Sequence, residues 1–87
     1  MKTLIFTGKN CKACKIVKHE LATAGIPYIE LDVESHEYVE AAGGSGVDLQ
    51  QRWKILNLPT VVKVVKGQPA NRWVGSMGVN IWRRELK

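Results

Sequence analysis

Cys11 and Cys14 are the two cysteines of the chain, and they stand three residues apart in Cys11-Lys12-Ala13-Cys14. Before them an apolar, β-type segment, Lys2-Thr3-Leu4-Ile5-Phe6-Thr7, passes into Gly8-Lys9-Asn10 as a turn. After them Lys15-Ile16-Val17-Lys18-His19-Glu20-Leu21-Ala22 carries a helical pattern. Cys11 is therefore expected at a helix N-terminus, where unpaired backbone N–H groups and the helix dipole favour negative charge. Such a setting lowers a cysteine pKa and yields a reactive thiolate. Cys14, about one helical turn on, is placed to attack a mixed disulfide formed by the first thiol. The pair reads as reversible thiol–disulfide chemistry. A bridge between cysteines this close constrains the unfolded chain little, so a catalytic role is expected and not a structural one.

Lys9, Lys12, Lys15 and Lys18 surround the pair, with Glu20 as the nearby offset. Cations at a helix N-terminus oppose the dipole at about a few tenths of a kcal/mol each. Lys9, Lys12 and Lys15 are expected to tune the thiolate or steer an acidic partner; the plainer alternative is a solvated helix face. His19 and His36 invite a metal reading, but a structural zinc site takes four ligands, often in two paired clusters. One cysteine pair with His19 turned elsewhere on the same helix does not supply that set, so no metal is expected. Trp53, Trp73 and Trp82 read as packing residues, and Arg83, Arg84 and Lys87 suit the end of a helix.

The elements that must position the cysteines follow the order β-α-β-α-β-β-α. The first strand is expected over residues 2–7 and the first helix over 12–24, with Ala13, Val17, Leu21 and Ala24 at helical spacing. Gly25 is its C-cap candidate and Pro27 follows. Residues 27–33 alternate Tyr28, Glu30 and Asp32 against Ile29, Leu31 and Val33, as a half-buried strand does. His36 to Ala42 looks helical, Gly43-Gly44-Ser45-Gly46 reads as a flexible connector, and Asp48 to Leu56 looks helical again, with Leu49, Trp53 and Leu56 on one face. Pro59-Thr60 opens a third strand, Val61-Val62-Lys63-Val64-Val65. Lys66-Gly67-Gln68 turns it into a fourth, Asn71–Val74, as an antiparallel hairpin. A last helix over 79–86 carries Val79, Trp82 and Leu86 on one face. A right-handed parallel βαβ unit joined to a hairpin gives an α/β class, with a mixed four-stranded sheet and helices on both faces.

The 87 residues fit a single domain, residues 1–87, with a small core. A hydrophobic content of 45% marks globular material. Thirteen basic against eight acidic side chains give a formal charge of +5. These cations are spread along the chain without a dense block or an aromatic–basic repeat, so no nucleic-acid partner is expected. No apolar run is long enough to span a membrane, and the N-terminus lacks the pattern of a signal peptide. A cytoplasmic, reducing location is expected.

This layout resembles the thioredoxin/glutaredoxin superfamily, and the likeness covers nearly the whole chain, most weakly residues 34–52. Ile55-Leu56-Asn57-Leu58-Pro59-Thr60 looks like the thioredoxin segment ending in Pro-Thr. Gly67 and Gly75 fall where thioredoxins carry a hairpin glycine and a glycine before the last helix, and Cys14-Lys15 matches the end of their motif. The resemblance implies a thioredoxin-like fold and a cis peptide before Pro59. It also implies a substrate surface at Leu58, Pro59, Thr60 and Gly75, with Leu58 offering its backbone to an extended chain. Without the resemblance, Pro59 reads as a plain strand start.

The departures are specific. Thioredoxins usually carry Trp before the first Cys, where Asn10 stands; a buried acid six residues before it, where Ile5 stands; and a helix proline at the position of His19. The base that deprotonates Cys14 is thus unassigned. Glutaredoxins usually have Lys or Arg at the position of Gly8 and an Asp after their late glycines, whereas here the run is Gly75-Ser76-Met77-Gly78. Ala24-Gly25-Ile26-Pro27-Tyr28 nevertheless looks glutaredoxin-like.

By this resemblance the chain is a compact redoxin: a monomeric dithiol–disulfide oxidoreductase for protein disulfides. It needs no cofactor beyond the Cys11–Cys14 disulfide and is recharged by a thioredoxin-reductase-type flavoenzyme. Small redoxins of this mixed character serve ribonucleotide reductase. A glutathione-dependent glutaredoxin is the alternative within enzymes. A non-catalytic binding module for an acidic partner is the alternative of another class, and a retained cysteine pair weighs against it.

Overall fold

The run Leu4-Ile5-Phe6 is apolar at every position, which suits a strand covered on both faces. It becomes β1, Lys2–Thr7, in which every residue after Lys2 is buried. The structure, a computed structural model, describes residues 1–76 and 79–86. β1 pairs in parallel with β2, Ile29–Asp32, and antiparallel with β3, Thr60–Val65. β3 continues antiparallel into β4, Gln68–Val74, so the sheet order is β2-β1-β3-β4. The mixed four-stranded sheet of the sequence reading is therefore present. Among the described residues no helix is long and apolar enough to cross a membrane.

Period-two alternation divides the sheet between two cores. On one face Ile5 and Val61 pack with Val17 and Leu21 of α1, Lys12–Thr23, and with Trp82 of α3, Val79–Glu85. On the other face Leu4, Phe6, Leu31 and Val62 pack with Leu49 of α2, Gly46–Arg52. Phe6 meets Trp53 edge-to-face, with ring centroids 6.1 Å apart. An ion pair between Glu20 and Arg83 ties α1 to α3. Of the apolar face expected on the last helix, Trp82 and Leu86 are buried, while the Val79 side chain lies outside the described residues.

α1 stops where Gly25 takes φ +72°. The Gly25 N–H donates to Ala22 and the Ile26 N–H to Leu21, which satisfies the last carbonyls of the helix. The β3–β4 hairpin turns on Lys66 and Gly67, at φ +53° and +78°; both left-handed positions match the twist of the flanking strands. β4 begins three residues before the expected Asn71, because a register irregularity at Lys63/Val64 accommodates Pro69 on the edge strand.

The segment between β2 and β3 departs most from expectation. His36 to Ala42 is not a helix. Side-chain acceptors take the backbone donors here: Asp32 Oδ1 accepts from Glu34 N–H and Ser35 Oγ from Glu37 N–H. A single turn closes at Gly43, φ +79°, and Val39 bridges to Gly44. The Gly-Ser run is a packed junction and not a connector. Ser45 is the N-cap of α2, its Oγ accepting from Asp48 N–H at 3.1 Å. A β-carbon on Gly46 would stand 1.8 Å from the Asp32 carbonyl oxygen, so backbone lies against backbone. α2 therefore starts earlier than Asp48, and it ends before Leu56. Lys54 adopts φ +53°, and Ile55 N–H reaches back to the Gln50 carbonyl. That stop is carried by a lysine, without the glycine that announces most such ends. Leu56 is consequently 83% exposed instead of lying on a buried face.

Candidate active site

β1, a central strand, ends at Thr7, and Asn10, at φ +57°, turns the chain into α1. Cys11 is the N-cap of α1: its Sγ accepts the Cys14 N–H at 3.1 Å. That bond satisfies one of the helix's orphan donors and holds the sulfur at the positive end of the dipole. The two cysteines form a disulfide with Cα atoms 5.3 Å apart, so the structure is the oxidised form. The two sulfurs are not equivalent. Cys11 is half-buried, whereas Cys14 is 2% exposed, on the inner side of the helix with Val17 and Leu21.

Beside the disulfide lies a hollow of about 280 Å³ whose walls include Cys11, Cys14, Lys12, Lys15, Lys18 and Glu30. Lys12 and Lys15 thus reach the site as expected; Lys9 is exposed and stands outside this hollow. Lys18 Nζ binds Glu30 Oε2 at 3.1 Å, and Thr7 Oγ1 donates to the same oxygen at 2.8 Å. Glu20 is turned to Arg83, so the expected offset to the lysines comes instead from Glu30 on β2.

The segment before β3, where the resemblance places the substrate surface, meets the turn before Cys11 through Leu58 and Gly8. The Leu58–Pro59 peptide is cis, as the resemblance implied. Pro59 is fully buried, and its carbonyl accepts the Gly75 N–H at 2.7 Å, which brings Gly75 alongside. Leu58 is half-buried and reaches Gly8, itself on the wall of the hollow beside Cys11. Thr60 departs from its expected place at the substrate surface. It is 1% exposed, and its hydroxyl donates to the Asn57 carbonyl at 2.6 Å; it closes the loop from within. Leu56 and Asn57 are the exposed residues of that loop.

Several sequence candidates are not brought together. His19 and His36 are both exposed, and among the described residues no three His, Cys, Asp or Glu side chains gather into a metal-ligand cluster. Trp53 and Trp82 serve the two cores, and Trp73 is 9% exposed within one of them. Met77 and Gly78, in the run compared with glutaredoxins, lie outside the described residues. Glu30 and Thr7 were missed as site residues. The signal was present in the β2 alternation, which puts Glu30 on one face, and in the parallel βαβ unit, which makes β2 a neighbour of β1.

Solved thioredoxin structures share this architecture over nearly all of the chain. The thioredoxin of Trypanosoma brucei brucei superposes with a TM-score of 0.72 at 16% identity, covering 98% of this chain and 70% of that one. Mitochondrial thioredoxin 3 of Saccharomyces cerevisiae, in its oxidised form, gives 0.70 at 17% identity, over 97% and 74%. The thioredoxin of Fasciola hepatica gives 0.69 at 15% identity, over 98% and 79%. The fold is that of thioredoxin. No protein-family model matches the chain, and the search of curated proteins finds no similar sequence. The thioredoxin fold is thus reached here by a sequence that shares few residues with those structures.

Proposed function

We propose that this protein is a dithiol–disulfide oxidoreductase that reduces protein disulfides. The observation that carries the reading is the asymmetry of the pair: Cys11 at the helix N-terminus, half-buried, and Cys14 shut behind it at 2% exposure. In the reduced protein Cys11, as thiolate, attacks a substrate disulfide, forms a mixed disulfide and expels one substrate thiolate. Cys14 gives up its proton and attacks Cys11 Sγ, expelling the second substrate thiolate and closing the Cys11–Cys14 bond. The substrate gains two electrons and the cysteine pair loses them. Leu58, Pro59 and Gly75 flank this chemistry, and an extended substrate segment lies along Leu58.

A thioredoxin-reductase-type flavoenzyme is the proposed source of electrons, the protein acting as a monomer in a reducing cytoplasm. The lack of an Asp in Gly75-Ser76-Met77-Gly78 supports this over glutathione. Ribonucleotide reductase is the substrate proposed for the first trial, on the compact, mixed character of the sequence. The test is NADPH consumption with a disulfide protein, recharged either by thioredoxin reductase or by glutathione with glutathione reductase. Turnover with thioredoxin reductase alone is expected. Turnover with glutathione alone overturns the electron source, and no turnover with either overturns the reading.

A further inference from the structure

Cys14 must lose a proton before it can attack, because the thiolate is the nucleophile. Burial at 2% exposure keeps that thiol from bulk solvent on most sides. The side open to it is the hollow of about 280 Å³, which has room for several water molecules at about 30 Å³ each. Among the described residues Glu30 is the carboxylate in its wall. Ile5, the direct strand partner of Glu30, is apolar and fully buried, so β1 offers no ionisable group in its place.

The geometry points to Glu30 as the proton acceptor for Cys14, acting through water in this hollow. The assignment rests on the oxidoreductase reading. Two donors fix the carboxylate from one side: Thr7 Oγ1 at 2.8 Å and Lys18 Nζ at 3.1 Å both meet Oε2. Among the described residues Oε1 accepts no hydrogen bond from a side chain. Lys12, Lys15 and Lys18 of α1 line the hollow, while Asp32 of β2 and the loop residue Glu37 line a second depression together with Glu30. In the step the Cys14 thiol proton passes to the Glu30 carboxylate and the Cys14 thiolate attacks Cys11 Sγ. The substrate sulfur leaves with the electron pair of the mixed disulfide, and the Glu30 carboxylic acid then releases its proton to that sulfur or to water. No other reactant is consumed.

The two steps separate with an aromatic disulfide such as 5,5′-dithiobis(2-nitrobenzoate), which releases one coloured thiolate when Cys11 attacks and a second when Cys14 resolves. In Glu30→Gln the amide oxygen still accepts from Thr7, and circular dichroism checks the fold. At pH 7 the ratio of second-phase to first-phase rates is expected to fall at least about tenfold, toward the roughly 10²–10⁴-fold that a positioned general base typically contributes. The deficit should close as pH rises to 10 and hydroxide deprotonates Cys14 directly. A ratio within twofold of wild type at pH 7, or a deficit that persists undiminished at pH 10, overturns the assignment. A wild-type protein that releases only one coloured thiolate would instead overturn the oxidoreductase reading, so the two failures are distinct.

Discussion

Leu58 and Gly8 fit each other by the absence of a side chain. A β-carbon on Gly8 would lie 2.8 Å from Leu58 Cδ1, closer than van der Waals contact allows. The turn that presents Cys11 and the loop that carries Pro59 therefore meet without a spacer, and the position of one sets the position of the other. Gly8→Ala displaces the tip of a flexible side chain and not backbone. The stability loss is expected to stay near the low end of the range for overpacking, about 1 kcal/mol. The larger effect falls on recognition: KM for a protein disulfide rises severalfold, while the rate on a small disulfide falls less. Thermal melting and steady-state kinetics on both substrates check this, and equal losses on the two would count against Leu58 as part of the protein-binding wall.

The inequality of the two sulfurs predicts unequal variants. Cys11→Ser removes the attacking thiol and should leave no measurable turnover. Cys14→Ser keeps the attack and removes the resolving step, so the protein should accumulate as a mixed disulfide with its substrate. Non-reducing electrophoresis and intact mass of the adduct read this directly. A trapped adduct on Cys14 in the Cys11→Ser protein would reverse the assignment of the two roles.

Much of this site was legible in the sequence because its parts are local. Cys11, Cys14 and the turn before them lie within one strand–helix junction, where a continuous apolar run marks the strand and helically spaced apolar residues mark the helix. The hairpin was legible because Lys66-Gly67 is short and Gly67 is a turn residue. What escaped was set by packing or by unusual backbone. The end of α2 rests on Lys54 at φ +53°, which no residue preference announces. The Gly-Ser run looked loose because composition does not report that Gly46 lies on the Asp32 backbone. Thr60 looked like a surface residue because its hydroxyl partner, the Asn57 carbonyl, exists only once the loop has folded. Glu30 reaches the site from the neighbouring strand β2, a placement that follows only when the β2 alternation and the parallel βαβ unit are read together.

The lysines beside the disulfide predict a salt-dependent partner. Lys12 and Lys15 are exposed and line the hollow, while Lys18 is paired with Glu30. Lys12 and Lys15 have no ion-pair partner among the described residues, and on a chain of formal charge +5 they favour encounter with an acidic surface, an attraction that screening shortens to about 8 Å at physiological ionic strength. The association rate with an acidic protein disulfide is expected to fall as salt rises, and the slope should flatten in Lys12→Gln/Lys15→Gln. Stopped-flow rates at several salt concentrations measure it; a wild-type rate insensitive to salt would leave these lysines as solvated helix surface. Salt-sensitive binding retained in Cys11→Ser/Cys14→Ser, with no turnover in the wild type, would favour the binding module.

Gly46 gives the sharpest test of how the unexpected segment supports the rest. Its would-be β-carbon stands 1.8 Å from the Asp32 oxygen and 2.6 Å from the Asp32 carbonyl carbon. Neither atom can yield as a side-chain tip does, so Gly46→Ala must move β2 or the start of α2. The displacement would pull Leu49, 1% exposed, out of the core it shares with Phe6 and Leu31. A loss of about 3 kcal/mol is expected, at the upper end for overpacking, read as a fall in the urea midpoint at unchanged slope. Ser45→Ala, next to it, removes only the N-cap acceptor and should cost about 1 kcal/mol. If the two variants lose the same stability, the Gly46–Asp32 contact does not constrain the junction and the segment has the slack of a connector after all.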